Sequence, residues 1–178
     1  MILVRKYNFI LFLLMIFSSI IGFSQKQFPA DYQGIWKGEL SIYSGTRILQ
    51  KTMMQLTIQA SEIDSVYIYR LQYGEGDGAD VRNYQLNILD QEKGVFEIDE
   101  KNSIVLPAQQ FHNKIVSTFI VEGNMIQFVY NLFDDKIQVE VFSGPHDPAN
   151  FTGAELEVPT VSLLKTNIYQ VCDLRKVE

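Results

Sequence analysis

Apolar and polar residues alternate with a period of two almost without interruption from Trp36 to Leu174, and a chain patterned this way can bury its apolar residues only as β-strands. Trp36, Gly38, Leu40 and Ile42 alternate with Lys37, Glu39 and Ser41, and after the Ser44-Gly45-Thr46 turn Met54, Leu56 and Ile58 alternate with Gln55, Thr57 and Gln59. Tyr67, Tyr69, Leu71 and Tyr73 share one face of the next run, and Val66, Ile68, Arg70 and Gln72 share the other. Tyr84, Leu86 and Ile88 follow, then Phe96 and Ile98, Ile104 to Leu106, Ile115 to Val121, Ile126 to Leu132, and Ile137, Val139 and Val141. A last strand is predicted over Val161 to Leu174. Short turns such as Glu92-Lys93-Gly94 and Glu122-Gly123-Asn124 separate the runs, so the strands form an antiparallel meander. A meander this long must close or stack to hide its edges, which predicts an all-β, up-and-down barrel of about eight to ten strands; the alternative is a two-sheet β-sandwich. Alternation further predicts Leu40, Met54, Leu56, Tyr84, Leu86, Phe119, Phe128, Tyr130, Ile137 and Val139 inside. Lys37, Glu39, Gln55, Gln59, Gln138 and Glu140 are predicted to face water.

The pattern at the N-terminus is different. Arg5 and Lys6 precede an uncharged, mainly apolar run from Phe9 to Ile21, and Gly22-Phe23-Ser24 supplies small residues before Gln25. A basic start, a short apolar run and a small residue at the end are the marks of a signal peptide, predicted over 1–24 with cleavage after Ser24. Residues 25–178 contain no repeat or long linker and are expected to form a single domain, exported to the periplasm or secreted. The run is short for a spanning helix, and no cysteine follows the cleavage point to carry a lipid, so no stable membrane anchor is expected. Cys172, the single cysteine, allows no internal disulfide, and its late position in an apolar strand predicts a buried, inert thiol. The net charge is −6, more negative by two once Arg5 and Lys6 are removed, which argues against nucleic acid as a partner.

Few residues suggest chemistry. Acids alternate along Gly74-Glu75-Gly76-Asp77-Gly78-Ala79-Asp80, but the spacing does not match a calcium loop, and a solvated hairpin loop is expected. Gly144-Pro145-His146-Asp147-Pro148 reads as a turn. Asp99 and Glu100 are adjacent, so on a strand they face opposite ways and cannot act as a facing pair; Asp99 and Asn102 read as turn supports. Asn150-Phe151-Thr152 and Asp64-Ser65-Val66 are three-residue glycosylation patterns of little weight. Neither a cofactor nor a metal site is predicted, and no catalytic residue, because no nucleophile and base or metal cluster is legible. The aromatics remain. Tyrosine and phenylalanine on inward faces either line a ligand cavity or fill a core, and the residues that would line such a cavity are Trp36, Leu40, Met54, Leu56, Tyr67, Tyr69, Tyr84, Phe119, Phe128 and Tyr130.

At Gly34-Ile35-Trp36 the first strand carries a G-x-W, and Leu174-Arg175-Lys176 offers a cation at the end of the last. In this the chain resembles the lipocalin-like (calycin) barrels. The resemblance implies that Trp36 closes the barrel floor and that a last-strand cation, Arg175 or failing it Lys176, packs over its ring. Antiparallel closure itself brings those two strand ends together. Ile98 to Leu106 resembles a stretch of small exported proteins of Gram-negative bacteria, which implies an address rather than an activity. No axial histidine for a nitrobindin-like haem and no avidin-like biotin site can be carried over. The expectation is therefore an exported lipocalin-like binding protein for a small apolar or amphipathic ligand, and not an enzyme. The alternative is an envelope interaction or structural protein with a filled barrel, whose partner is another envelope protein or a glycan.

Overall fold

The computed structural model describes residues 26–147, 149–153 and 157–177; the predicted signal peptide lies outside them. A 3-10 turn at Ala30–Tyr32 leads into β1 (Gly34–Ser44), followed by β2 (Arg47–Ala60), β3 (Val66–Tyr73), β4 (Asp80–Asp90), β5 (Val95–Asp99), β6 (Val105–Phe111), β7 (Lys114–Val121), β8 (Asn124–Leu132) and β9 (Lys136–Pro145). Two short strands, β10 (Phe151–Thr152) and β11 (Val161–Ser162), precede β12 (Ile168–Lys176). β1 to β9 pair in sequence order, and β12 joins β9 to β1, so ten antiparallel strands close a barrel. That closure decides against the sandwich.

The two-residue period sets what lies inside. Leu40, Met54, Leu56, Leu86, Tyr130, Ile137 and Val139 are buried, and Tyr84, Phe119 and Phe128 pack half-buried against the same core. Lys37, Glu39 and Gln59 are exposed, and Gln55, Gln138 and Glu140 lie half-exposed on the outer face. One boundary differs from expectation. Val161–Ser162 pairs with Phe151–Thr152 in a separate two-stranded sheet, and the last barrel strand starts only at Ile168. The apolar residues of that excursion, among them Phe151, Val161 and Leu164, are exposed, so their run in sequence does not mark a buried strand.

Closure requires β1 and β12 to approach closely. At Gly38 a Cβ would collide with the Asp173 carbonyl oxygen and press on Cys172 Sγ, so only glycine fits there. Cys172 is accordingly buried, and burial, reinforced by Asp173 and Glu39, pushes its thiol up to about 12.

Candidate functional site

The strands define two ends of the barrel. β1 begins at one end, the floor, and reaches the other, the mouth, at Ser44. The floor is filled. Phe28, at 3% exposure, stands edge-on to Phe96 with ring centroids 5.6 Å apart, and Tyr32 lies 6.2 Å from the Trp36 ring. Trp36 Nε1 donates to the Tyr32 carbonyl at 2.8 Å, and Gln91 Nε2 donates to the Phe28 carbonyl at 3.0 Å. The segment before β1 is thereby held across the floor by both rings and hydrogen bonds.

The cation over Trp36 is Lys176, whose Nζ lies 5.7 Å from the ring centroid. Arg175, the first expectation, is directed to the outer face instead and donates to Asp135 at 2.7 Å. Register is the reason. Arg175 is paired with outward Lys37, and Lys176 with inward Trp36.

Towards the mouth the packing opens into a cavity of about 370 Å³. Leu40, Leu71, Ile98, Leu106 and Val139 give it an apolar base, and Tyr69, Tyr73, Tyr84, Phe119, Phe128 and Tyr130 form aromatic walls. Of the residues predicted to line it, Leu40, Tyr69, Tyr84, Phe119, Phe128 and Tyr130 do so. Trp36, Met54 and Leu56 do not, being part of the filled half, and Tyr67 packs on that core as well. The correction follows from level along the strand: alternation assigns a side but not a height.

Tyr69 and Tyr130 meet edge to face with centroids 6.2 Å apart. Burial pushes the Tyr69 phenol well above the ordinary value, with Tyr130 adding to it, and burial raises Tyr130 likewise. Both hydroxyls therefore stay neutral, able to donate or accept inside an apolar cavity.

The rim was missed in the sequence. Asp80, Arg82 and Glu100 all line the cavity. Asp80 ends a loop that alternation presents as merely solvated, and adjacency to Asp99 gives Glu100 no facing partner on a strand. Arg82 donates from Nε at 3.1 Å and Nη2 at 2.9 Å to Asp80 Oδ2, and its guanidinium lies 5.1 Å from the Tyr73 centroid. Burial works to lower its pKa, but the Asp80 bond together with Tyr73 and Tyr84 outweighs that and the net direction is upward. Tyr84 is raised by burial and then by Glu100, with Arg82 opposing. Parity offered the missing signal, since Arg82 shares a face with Tyr84 and Leu86. Asp99, by contrast, supports the turn as expected, accepting from the Lys101 backbone N–H at 2.7 Å, and Asn102 Oδ1 accepts from that of Ile104 at 3.0 Å.

Among the described residues no three His, Cys, Asp or Glu side chains come together as a metal site, and no helix is long and apolar enough to cross a membrane.

No family model and no curated protein matches the chain. Among solved structures it is similar to the S-type phycobiliprotein lyase CPES from Guillardia theta, with a TM-score of 0.54 and 8% identity, covering 82% of this chain and 88% of that one. The likeness is one of fold, a lipocalin-like barrel in both. It overturns one expectation, that the chain is not an enzyme, because the similar structure is that of a lyase.

Proposed function

We propose that the barrel binds a small amphipathic molecule, its apolar body among Tyr69, Phe119, Phe128 and Tyr130 and its polar end at the Asp80–Arg82–Tyr84–Glu100 rim. One observation carries this reading: the open half of the interior is a cavity of about 370 Å³, walled by aromatics, with its charged side chains, Asp80, Arg82 and Glu100, at the rim. That combination is the usual character of a small-molecule pocket. A filled barrel serving an envelope partner has less support, since filling stops at the level of Leu40 and Val139.

Native mass spectrometry of the purified protein, followed by calorimetric titration with decanol, tests the reading. A co-purifying small molecule or saturable one-to-one binding of decanol is expected. A protein that carries nothing and takes up no decanol would overturn it.

The proposal includes export, to the periplasm or beyond. Arg5, Lys6 and the apolar run from Phe9 to Ile21 support it. The mass of exported protein should correspond to a chain starting at Gln25; one starting at Met1, or bearing a lipid, would contradict the cleavage.

A further inference from the structure

We infer that the polar end of the bound molecule is a cation, so that the cavity takes an amphipathic amine or quaternary ammonium rather than a carboxylate. The inference rests on the cavity being a ligand site, as proposed above.

Three charged side chains line the cavity: Asp80, Arg82 and Glu100. Arg82 is already engaged. Two of its N–H groups point at one oxygen of Asp80, at 2.9 and 3.1 Å, and its face covers the Tyr73 ring. Asp80 and Arg82 thus neutralise one another, and the charge left at the mouth is the Glu100 carboxylate.

Among the described residues Glu100 is in no ion pair; its side chain accepts from Asn102 Nδ2 at 3.3 Å and interacts with Tyr84. The nearest lysine in sequence is turned away, since Lys101 Nζ sits on the outer face, against the Gln85 side-chain oxygen and 3.6 Å from Asp99. Glu75 and Asp77, on the loop between β3 and β4, add negative charge at the same end. A cation entering here would meet Glu100 and the faces of Tyr84, Phe119 and Phe128, each of which attracts positive charge. The protein's net charge of −6 favours the approach of cations as well. A carboxylate would meet a guanidinium whose charge is already paired with Asp80, and two carboxylates beside it.

The experiment compares three probes with the same ten-carbon chain: decylammonium, decanol and decanoate. Each is titrated calorimetrically below its micelle concentration, near neutral pH and at low salt. Decylammonium should bind tightest and decanoate weakest, about tenfold apart, the size of one partly exposed ionic contact. Added salt should narrow that gap. In Glu100→Gln the ammonium should lose its advantage and fall to within about twofold of decanol measured on the same variant. Equal or tighter binding of decanoate, or a preference that survives E100Q, would overturn the inference and leave the cavity reading standing. Failure of all three probes to bind would remove both. Where E100Q does not fold, the order of the three probes on the unaltered protein decides.

Discussion

Lys176 covers the single tryptophan because it is one residue further along than Arg175, and on a strand one residue is the difference between inside and outside. The same parity explains the glycine two positions before Trp36. Gly34 has φ +128°, a conformation L side chains avoid, and a Cβ there would lie 2.6 Å from Lys176 Cε. Glycine leaves the groove through which the lysine stem reaches the indole. The indole itself carries most of the energy, since it is 3% exposed and its N–H is satisfied by the Tyr32 carbonyl at 2.8 Å. Trp36→Ala should therefore cost about 3–5 kcal/mol, whereas Lys176→Ala, at an exposed site, should cost about 0.5–1 kcal/mol. Urea denaturation of the two variants measures both. Equal costs would mean that the cation, and not ring burial, holds the floor.

The segment before β1 behaves as an element although it has hardly any regular structure. It contributes Phe28 and Tyr32, at 3% and 4% exposure, to a core otherwise made of strands. Phe28→Ala should destabilise the barrel by about 3–5 kcal/mol, with increased binding of a hydrophobic dye as the floor opens; a loss below about 1 kcal/mol would show that the strands close the floor unaided. This element was not legible in the sequence, because Gln25 to Tyr32 lacks a period and reads as a lead-in. The barrel strands were legible, since each has a wet and a dry face and alternation records that directly. The excursion between β9 and β12 differs for the converse reason: Val161, Leu163 and Leu164 are apolar, but Val161–Ser162 pairs with Phe151–Thr152 outside the barrel and those side chains stay exposed, so apolarity alone does not make a barrel strand. Of the site, the aromatic walls could be read from parity, and Lys176 could have been. What could not was height along each strand, which separates Trp36 and Leu56 in the filled half from Tyr69 and Phe128 in the open half. The pairing of Asp80 with Arg82 was equally hidden, because both residues sit where a loop becomes a strand.

At the scale of the whole molecule, the barrel has a dry floor and a cavity whose walls carry phenols, and that division sets its response to alkali. Tyr69 and Tyr130 lie at 2% and 6% exposure, and burial raises both phenols, as it does Tyr73 and Tyr84. Burial likewise pushes the Cys172 thiol from 9.0 up to about 12. Each of these groups is held neutral in the folded chain at pH values where it would ionise in the unfolded one. The unfolded state then binds fewer protons, so stability is fully present below the unfolded values and is lost as pH rises through the folded ones. With unfolded values of 9.0 for the thiol and 10.0 for the phenols, the window opens near pH 9 and extends to about 12 for Cys172, with the buried phenols raised above 10.0. Each group that stays neutral in this range steepens the loss by about 1.4 kcal/mol per pH unit. Melting temperature should be nearly flat from neutral pH to about pH 9 on this account, then fall, with the tyrosinate absorbance of the buried cavity phenols, Tyr69 and Tyr130, rising together with unfolding rather than before it. Tyr69→Phe removes a titrating group without removing the ring, so its alkaline slope should be shallower than that of the unaltered protein. Complete ionisation of the tyrosines near pH 10 in a chain still folded by circular dichroism would show that the cavity walls are wet, and with them the apolar base on which the binding proposal stands.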